Sequence, residues 1–163
     1  MTPNQVRLLI LACGNTLRSD DGVGPWLADW TEQHFSSQPE IRVISRQQWT
    51  PDLAQDIADS ESVLFIDCSI ESKPGDLEFT HVAPSESRQG LATHHQGAPE
   101  LLALARDLYN AQPKNALLLT IGAGSTELGE AFSPAVTAAL PQACKMIDDA
   151  LVTLLRPQPR PLL

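Results

Sequence analysis

Three short, almost uninterrupted apolar runs limit what this chain can fold into: Val6 to Ala12, Ser62 to Asp67 and Ala116 to Ile121. Each is shorter than an ordinary helix and stops abruptly, at Cys13-Gly14, at Asp67 or at Gly122. Successive side chains of a strand point to opposite faces, so a continuous apolar run needs cover on both sides. That is the environment of a strand inside a parallel sheet. Ile41 to Ile44 reads as a further strand after the Ser36-Ser37-Gln38-Pro39 turn, and the alternating stretch Leu77 to Val82 as a half-exposed edge strand.

Helical patterns lie between these runs. Val23, Trp26, Leu27 and Trp30 mark one buried stripe. Thr50-Pro51 predicts an N-cap with proline in the first turn, opening a short helix to Ala58. Another helix is expected from Ala98 or Pro99 to Tyr109, with Leu101, Leu102, Ala105 and Leu108 facing inward. Ser133-Pro134 predicts the start of the last helix, with Val136, Leu140, Ile147, Leu151 and Leu154 on its apolar side. Pro141 is expected to kink or split that helix. The order of strands and helices predicts an α/β sandwich with a mostly parallel sheet. It reads as a single domain, 1–163, with a loose proline-rich tail over 156–163.

Composition narrows the function. Eleven Lys and Arg against 20 Asp and Glu leave a formal charge of −9, a field that disfavours nucleic acid and anionic membrane surfaces. No apolar run approaches the ~18 residues of a membrane span, and no signal-like block stands at the N-terminus, so a cytoplasmic protein without membrane insertion is expected. The three cysteines, Cys13, Cys68 and Cys144, are widely spaced and are expected to remain reduced packing residues.

Ligands of open α/β sheets bind where strands end. The polar residues expected there are Asp20 and Asp21 after the first strand, Asp67 and Cys68 after the third, His94 and His95 in the loop Pro84 to Gly97, and Gly122 to Ser125. Asp20, and less readily Asp21, could instead cap the first helix, Asp67 could serve a turn, and the histidines could be surface residues. No P-loop, G-x-G-x-x-G or G-x-S-x-G pattern is present, and no local signature makes Cys13 or Cys68 a nucleophile. Two carboxylates and an imidazole on three loops suit a divalent transition metal such as nickel, zinc, manganese or iron.

The segment Gly14-Asn15-x-Leu17-x-x-Asp20-Asp21-Gly22-x-Gly24 after a buried strand resembles the signature of the hydrogenase maturation proteases. The resemblance extends through Phe65-Ile66-Asp67, His95-Gln96, Leu119-Thr120-Ile121-Gly122 and Leu128-Gly129-x-x-Phe132-Ser133-Pro134, from Val6 to about Leu155. It implies a three-layer α/β/α sandwich of the phosphorylase/hydrolase-like kind. It also implies an aspartic-type endopeptidase that removes a C-terminal extension from a nickel–iron hydrogenase large-subunit precursor. Carried over position by position, the metal-contacting and catalytic trio is Asp21, Asp67 and His95, with His94 a competitor for the third place. The nickel would arrive in the precursor rather than be held permanently. Cys13 departs from the family's small apolar residue or glycine, and Arg46 to Thr50 from the glycine-rich turn of some members. A nickel-checking module that binds the precursor without cutting it, and a phosphorylase-like or peptidyl-tRNA-hydrolase-like enzyme, are the alternatives.

Overall fold

The computed structural model describes residues 6–86 and 97–156. Five strands form one sheet: β1 (Val6–Cys13), β2 (Ile41–Arg46), β3 (Ser60–Ser69), β4 (Leu77–His81) and β5 (Asn115–Gly122), in the order β2-β1-β3-β5-β4. The first three and β5 run parallel; β4 is antiparallel to β5 and closes that edge, as its half-exposed alternation leads one to expect. The helices are α1 (Val23–His34), α2 (Leu53–Ala58), α3 (Ala98–Tyr109) and α4 (Pro134–Leu154).

The uninterrupted apolar runs make the layers. On one side of the sheet Leu9, Leu11, Val63 and Phe65 pack against α2 and α3 through Leu53, Ile57, Leu101 and Ala105. On the other, Leu8, Ile10, Leu64 and Ile66 meet α1 and α4 through Val23, Leu27, Val136 and Ile147. The result is a three-layer α/β/α sandwich. Each fully buried Leu or Ile contributes roughly 1.5–3 kcal/mol, so both faces of β1 and β3 hold the three layers together. Among the described residues no helix is long and apolar enough to cross a membrane.

Three local expectations need correction, and a fourth is narrowed. Thr50 does not cap α2: its hydroxyl bonds to the Asp52 carboxylate, and the helix begins at Leu53 after a turn that carries Pro51. Trp26 is 40 % exposed, because the buried stripe of α1 narrows to Val23, Leu27 and Thr31. Leu108 is 62 % exposed in the last turn of α3, where every residue from Asp107 to Asn110 faces solvent. Pro141 does not split α4, which runs unbroken from Pro134 to Leu154. Pro141 and Thr137, whose carbonyl loses its helical partner to the proline, both stand on the exposed side, where water can satisfy it. Ser133 caps α4 as expected, its hydroxyl accepting from the Val136 amide at 3.4 Å.

Candidate active site

The carboxyl ends of β1, β3 and β5 lie side by side, and the segments leaving them carry the polar residues. Asp67 stands near the end of β3, paired in register with Thr120 of β5. It shares a face with Phe65, two residues back, and so points to the side where Cys13 ends β1. The Cys13 thiol donates to Asp67 Oδ1 at 3.2 Å and the Cys68 amide donates to the same oxygen at 2.8 Å. Oδ1 is therefore engaged twice, whereas Oδ2 accepts no hydrogen bond from the described residues. Burial pushes the Asp67 carboxyl up to about 6; the two donors oppose the rise and the charge of Asp21 adds to it.

Asp21 is brought to this place by two glycines. Gly14 has φ +150°, and a Cβ there would lie 1.9 Å from the Asp21 carbonyl oxygen, so only glycine lets the chain leaving β1 fold back onto Asp21. A Cβ at Gly24 would lie 2.5 Å from the Cys13 carbonyl oxygen and 3.2 Å from that of Ile66, so the first turn of α1 rests directly on the ends of β1 and β3. The Asn15 amide then donates to Asp21 Oδ2 at 2.7 Å, while Asn15 Oδ1 accepts from the Leu17 amide at 2.9 Å.

Asp20, adjacent in sequence, does something else. It is 0 % exposed and caps no helix; α1 begins after Gly22 with no side-chain cap. Its carboxylate accepts from the amides of Gly124 (2.7 Å), Ser125 (3.0 Å) and Ser133 (2.7 Å) and from the Ser133 hydroxyl (2.7 Å). Burial works against its ionisation, but these donors outweigh it and hold the carboxyl below its ordinary value. The same two loops are joined again where Ser19 N–H donates to Gly129 O and Gly129 N–H to Leu17 O, at 2.7 and 2.9 Å. Asp20 is thus a strut between the β1–α1 and β5–α4 segments. Ser133, expected only as a cap, serves both α4 and Asp20, a double use with no signal in the linear sequence.

The structure brings Asp21, Asp67 and Cys13 together. His94 and His95 lie outside the described residues. What is described of that segment is its flanks: the Ser85 amide donates to Pro99 O at 2.9 Å, and Gly97 precedes α3, which packs on the same side of the sheet as Asp67 and Cys13. Among the described residues no group of three or more His, Cys, Asp or Glu is arranged to hold a metal ion. A two-carboxylate set with a free Oδ2 needs further ligands from outside it. Thiol nucleophilicity is disfavoured on physical grounds. Burial, reinforced by the neighbouring carboxylates, pushes Cys68 up to about 12 and Cys13 higher still, so both are protonated near neutrality. Trp49, not anticipated as a site residue, is buried after β2 with its ring edge-on to Phe65 at 5.2 Å, and its Nε1 finds no acceptor among the described residues.

A mostly parallel α/β/α sandwich thus gathers two acids, Asp21 after β1 and Asp67 near the end of β3, at one edge of the sheet. No protein-family model and no curated protein matches the sequence. Solved structures do. Hydrogenase maturating endopeptidase HybD from E. coli superposes with a TM-score of 0.71 at 20% identity, covering 90% of this chain and 93% of that one. Hydrogenase 2 maturation peptidase from Thaumarchaeota archaeon SCGC_AB-539-E09 matches at 28% identity and a TM-score of 0.64, covering 90% and 98%. NiFe hydrogenase maturation protease HycI from Thermococcus kodakarensis KOD1 matches at 19% and 0.66, covering 92% and 95%. The chain has the fold of the hydrogenase maturation endopeptidases over nearly its whole length.

Proposed function

We propose that this chain is an endopeptidase that removes the C-terminal extension of a nickel-loaded hydrogenase large-subunit precursor. The observation that carries the reading is the pair Asp21 and Asp67 at the ends of β1 and β3, in a fold shared with endopeptidases of hydrogenase maturation. On this reading Asp21, Asp67 and His95 complete the coordination of nickel already seated in the precursor. That would hold the scissile peptide beside the two carboxylates. Water attacks the carbonyl carbon, a carboxylate accepts its proton, and the proton passes to the departing amine as the C–N bond breaks. Burial raises the Asp67 carboxyl to about 6 in the free protein, and nickel beside it would favour the ionised form that accepts a proton from water. Three points of attachment would fix the register of the cut, so an empty precursor would not be processed.

The test is incubation of the purified chain with a large-subunit precursor, with and without nickel, followed by the mass of the precursor. Shortening that depends on nickel, and is lost in Asp21→Ala, Asp67→Ala and His95→Ala variants that still fold, is the expected result. Cleavage of the nickel-free precursor at an equal rate would contradict nickel recognition. Binding without shortening would make the protein a nickel-checking module, and normal cleavage by His95→Ala would remove that residue from the site.

A further inference from the structure

The row of side chains that holds Asp67 continues across the sheet to a residue that the chemistry above does not use. Asp67 and Thr120 are register partners on the parallel strands β3 and β5. Thr120 shares its face with Ala116 and Leu118, which pack with the α2 and α3 layer, so it stands on the side to which Asp67 points. On the β1 flank of Asp67 the Cys13 thiol leans in and bonds to it. On the β5 flank the half-buried Thr120 does not; its hydroxyl makes no hydrogen bond among the described residues, to Asp67 or to Glu78, its register partner on β4. Every other hydroxyl on β1, β3 and β5 is engaged: Ser60 with the Asp56 carbonyl, Ser62 with the Asn115 side-chain amide and Ser69 with Ser72.

Thr120 is also the one polar residue in the run Ala116 to Ile121. Threonine is at home in a strand, but valine has the same shape and packs at least as well on a pleated, half-buried surface. Packing therefore gives no reason for the oxygen. What the oxygen adds is a donor and acceptor one strand away from the free Oδ2 of Asp67. Neighbouring strands lie ~4.8 Å apart, and a water bonded at about 2.8 Å to each of two side chains spans such a gap. A carboxylate oxygen has two lone-pair sites, so Oδ2 can face a metal and a water together. Two acceptors would fix both O–H bonds of that water and leave its lone pairs free for a carbonyl carbon.

We propose that Thr120 is a further catalytic residue of this site, its hydroxyl oxygen accepting one O–H of the attacking water while Asp67 Oδ2 accepts the other. As the water oxygen bonds to the carbonyl carbon, the carbonyl π pair moves onto its own oxygen. The proton on the Asp67 side passes to the carboxylate, and Thr120 keeps its own proton throughout. The proposal rests on the endopeptidase reading. Thr120 supplies position rather than charge, so its loss acts on turnover and spares binding of the precursor.

The experiment measures kcat and KM of wild type, Thr120→Val and Thr120→Ser on the nickel-loaded large-subunit precursor, with the urea midpoint of each free protein. Thr120→Val should lower kcat about a hundredfold, with KM within about twofold and the urea midpoint not lowered. Thr120→Ser keeps the hydroxyl and should retain kcat within about fivefold of wild type. Wild-type kcat in Thr120→Val overturns the assignment while leaving the protease standing. Equal losses in the Val and Ser variants mark a packing role and overturn it. A raised KM at unchanged kcat marks a contact with the precursor alone and overturns it as well. No processing by wild type overturns the endopeptidase reading, and this proposal with it.

Discussion

Asp20 and Ser133 stand 113 positions apart and are joined twice: the Ser133 amide donates to Asp20 Oδ1 and the Ser133 hydroxyl to Oδ2, each at 2.7 Å. Replacing Asp20 by Ala strands three amide donors around a buried vacancy. We expect a loss on the order of 3 kcal/mol, read from the urea midpoint at pH 7. The folded carboxyl lies below its ordinary value of 3.8, so its contribution is present above that value and disappears as pH falls through the folded one. The gap between wild type and variant should therefore close under acid conditions.

Asp67 has the opposite sign. Its folded carboxyl is raised from 3.8 to about 6, so its contribution is complete below pH 3.8 and lost as pH rises through about 6. The free protein should lose on the order of 2 kcal/mol across that window from this group, and Asp67→Asn should abolish that dependence. Urea titrations at a series of pH values measure both.

Cys13 and Cys68 treat the same oxygen differently, one through a thiol and one through an amide. Cys13→Val removes a donor that favours the ionised Asp67, so the Asp67 titration followed by carboxyl carbon NMR should move above about 6. Cys13→Ser keeps a donor there and should leave the titration near the wild-type value. Equal titrations in Val and Ser variants would remove the thiol from the account of Asp67.

Gly14→Ala sets a methyl group 1.9 Å from the Asp21 carbonyl oxygen at φ +150°. Relief requires moving the segment that carries Asp21. We expect more than ~3 kcal/mol of destabilisation, seen as a lowered melting temperature or insoluble expression, and any protein recovered should process precursor poorly.

The elements most legible in the sequence were those whose local chemistry and burial agree. β1, β3 and β5 are continuous apolar runs buried on both faces, and α3 starts beside Pro99 where a proline in the first turn is tolerated. Asp67 was legible as an acid that ends such a run. Asp20 was not, because all four of its donors come from residues more than 100 positions away and nothing around it marks a strut. Trp26 and Leu108 were misplaced for one reason: helical period identifies a stripe, whereas the width and length of the buried stripe depend on the neighbouring layers. Thr50 was misplaced because Asp52, two residues on, competes for its hydroxyl.

β3 carries a carboxylate and a thiol side by side on one ribbon. Asp67 turns its oxygens toward Cys13, while Cys68 turns its sulfur to the opposite layer with Ile66 and Val136. Which of them meets the mouth of the site is decided by parity alone. A single-residue deletion upstream in β3 would bring a soft thiol where a hard carboxylate now stands and, on the proposed reading, would change which metals the site prefers. Pairing with both β1 and β5 is what forbids that exchange, so the packing of the sheet also decides which side chain faces Cys13.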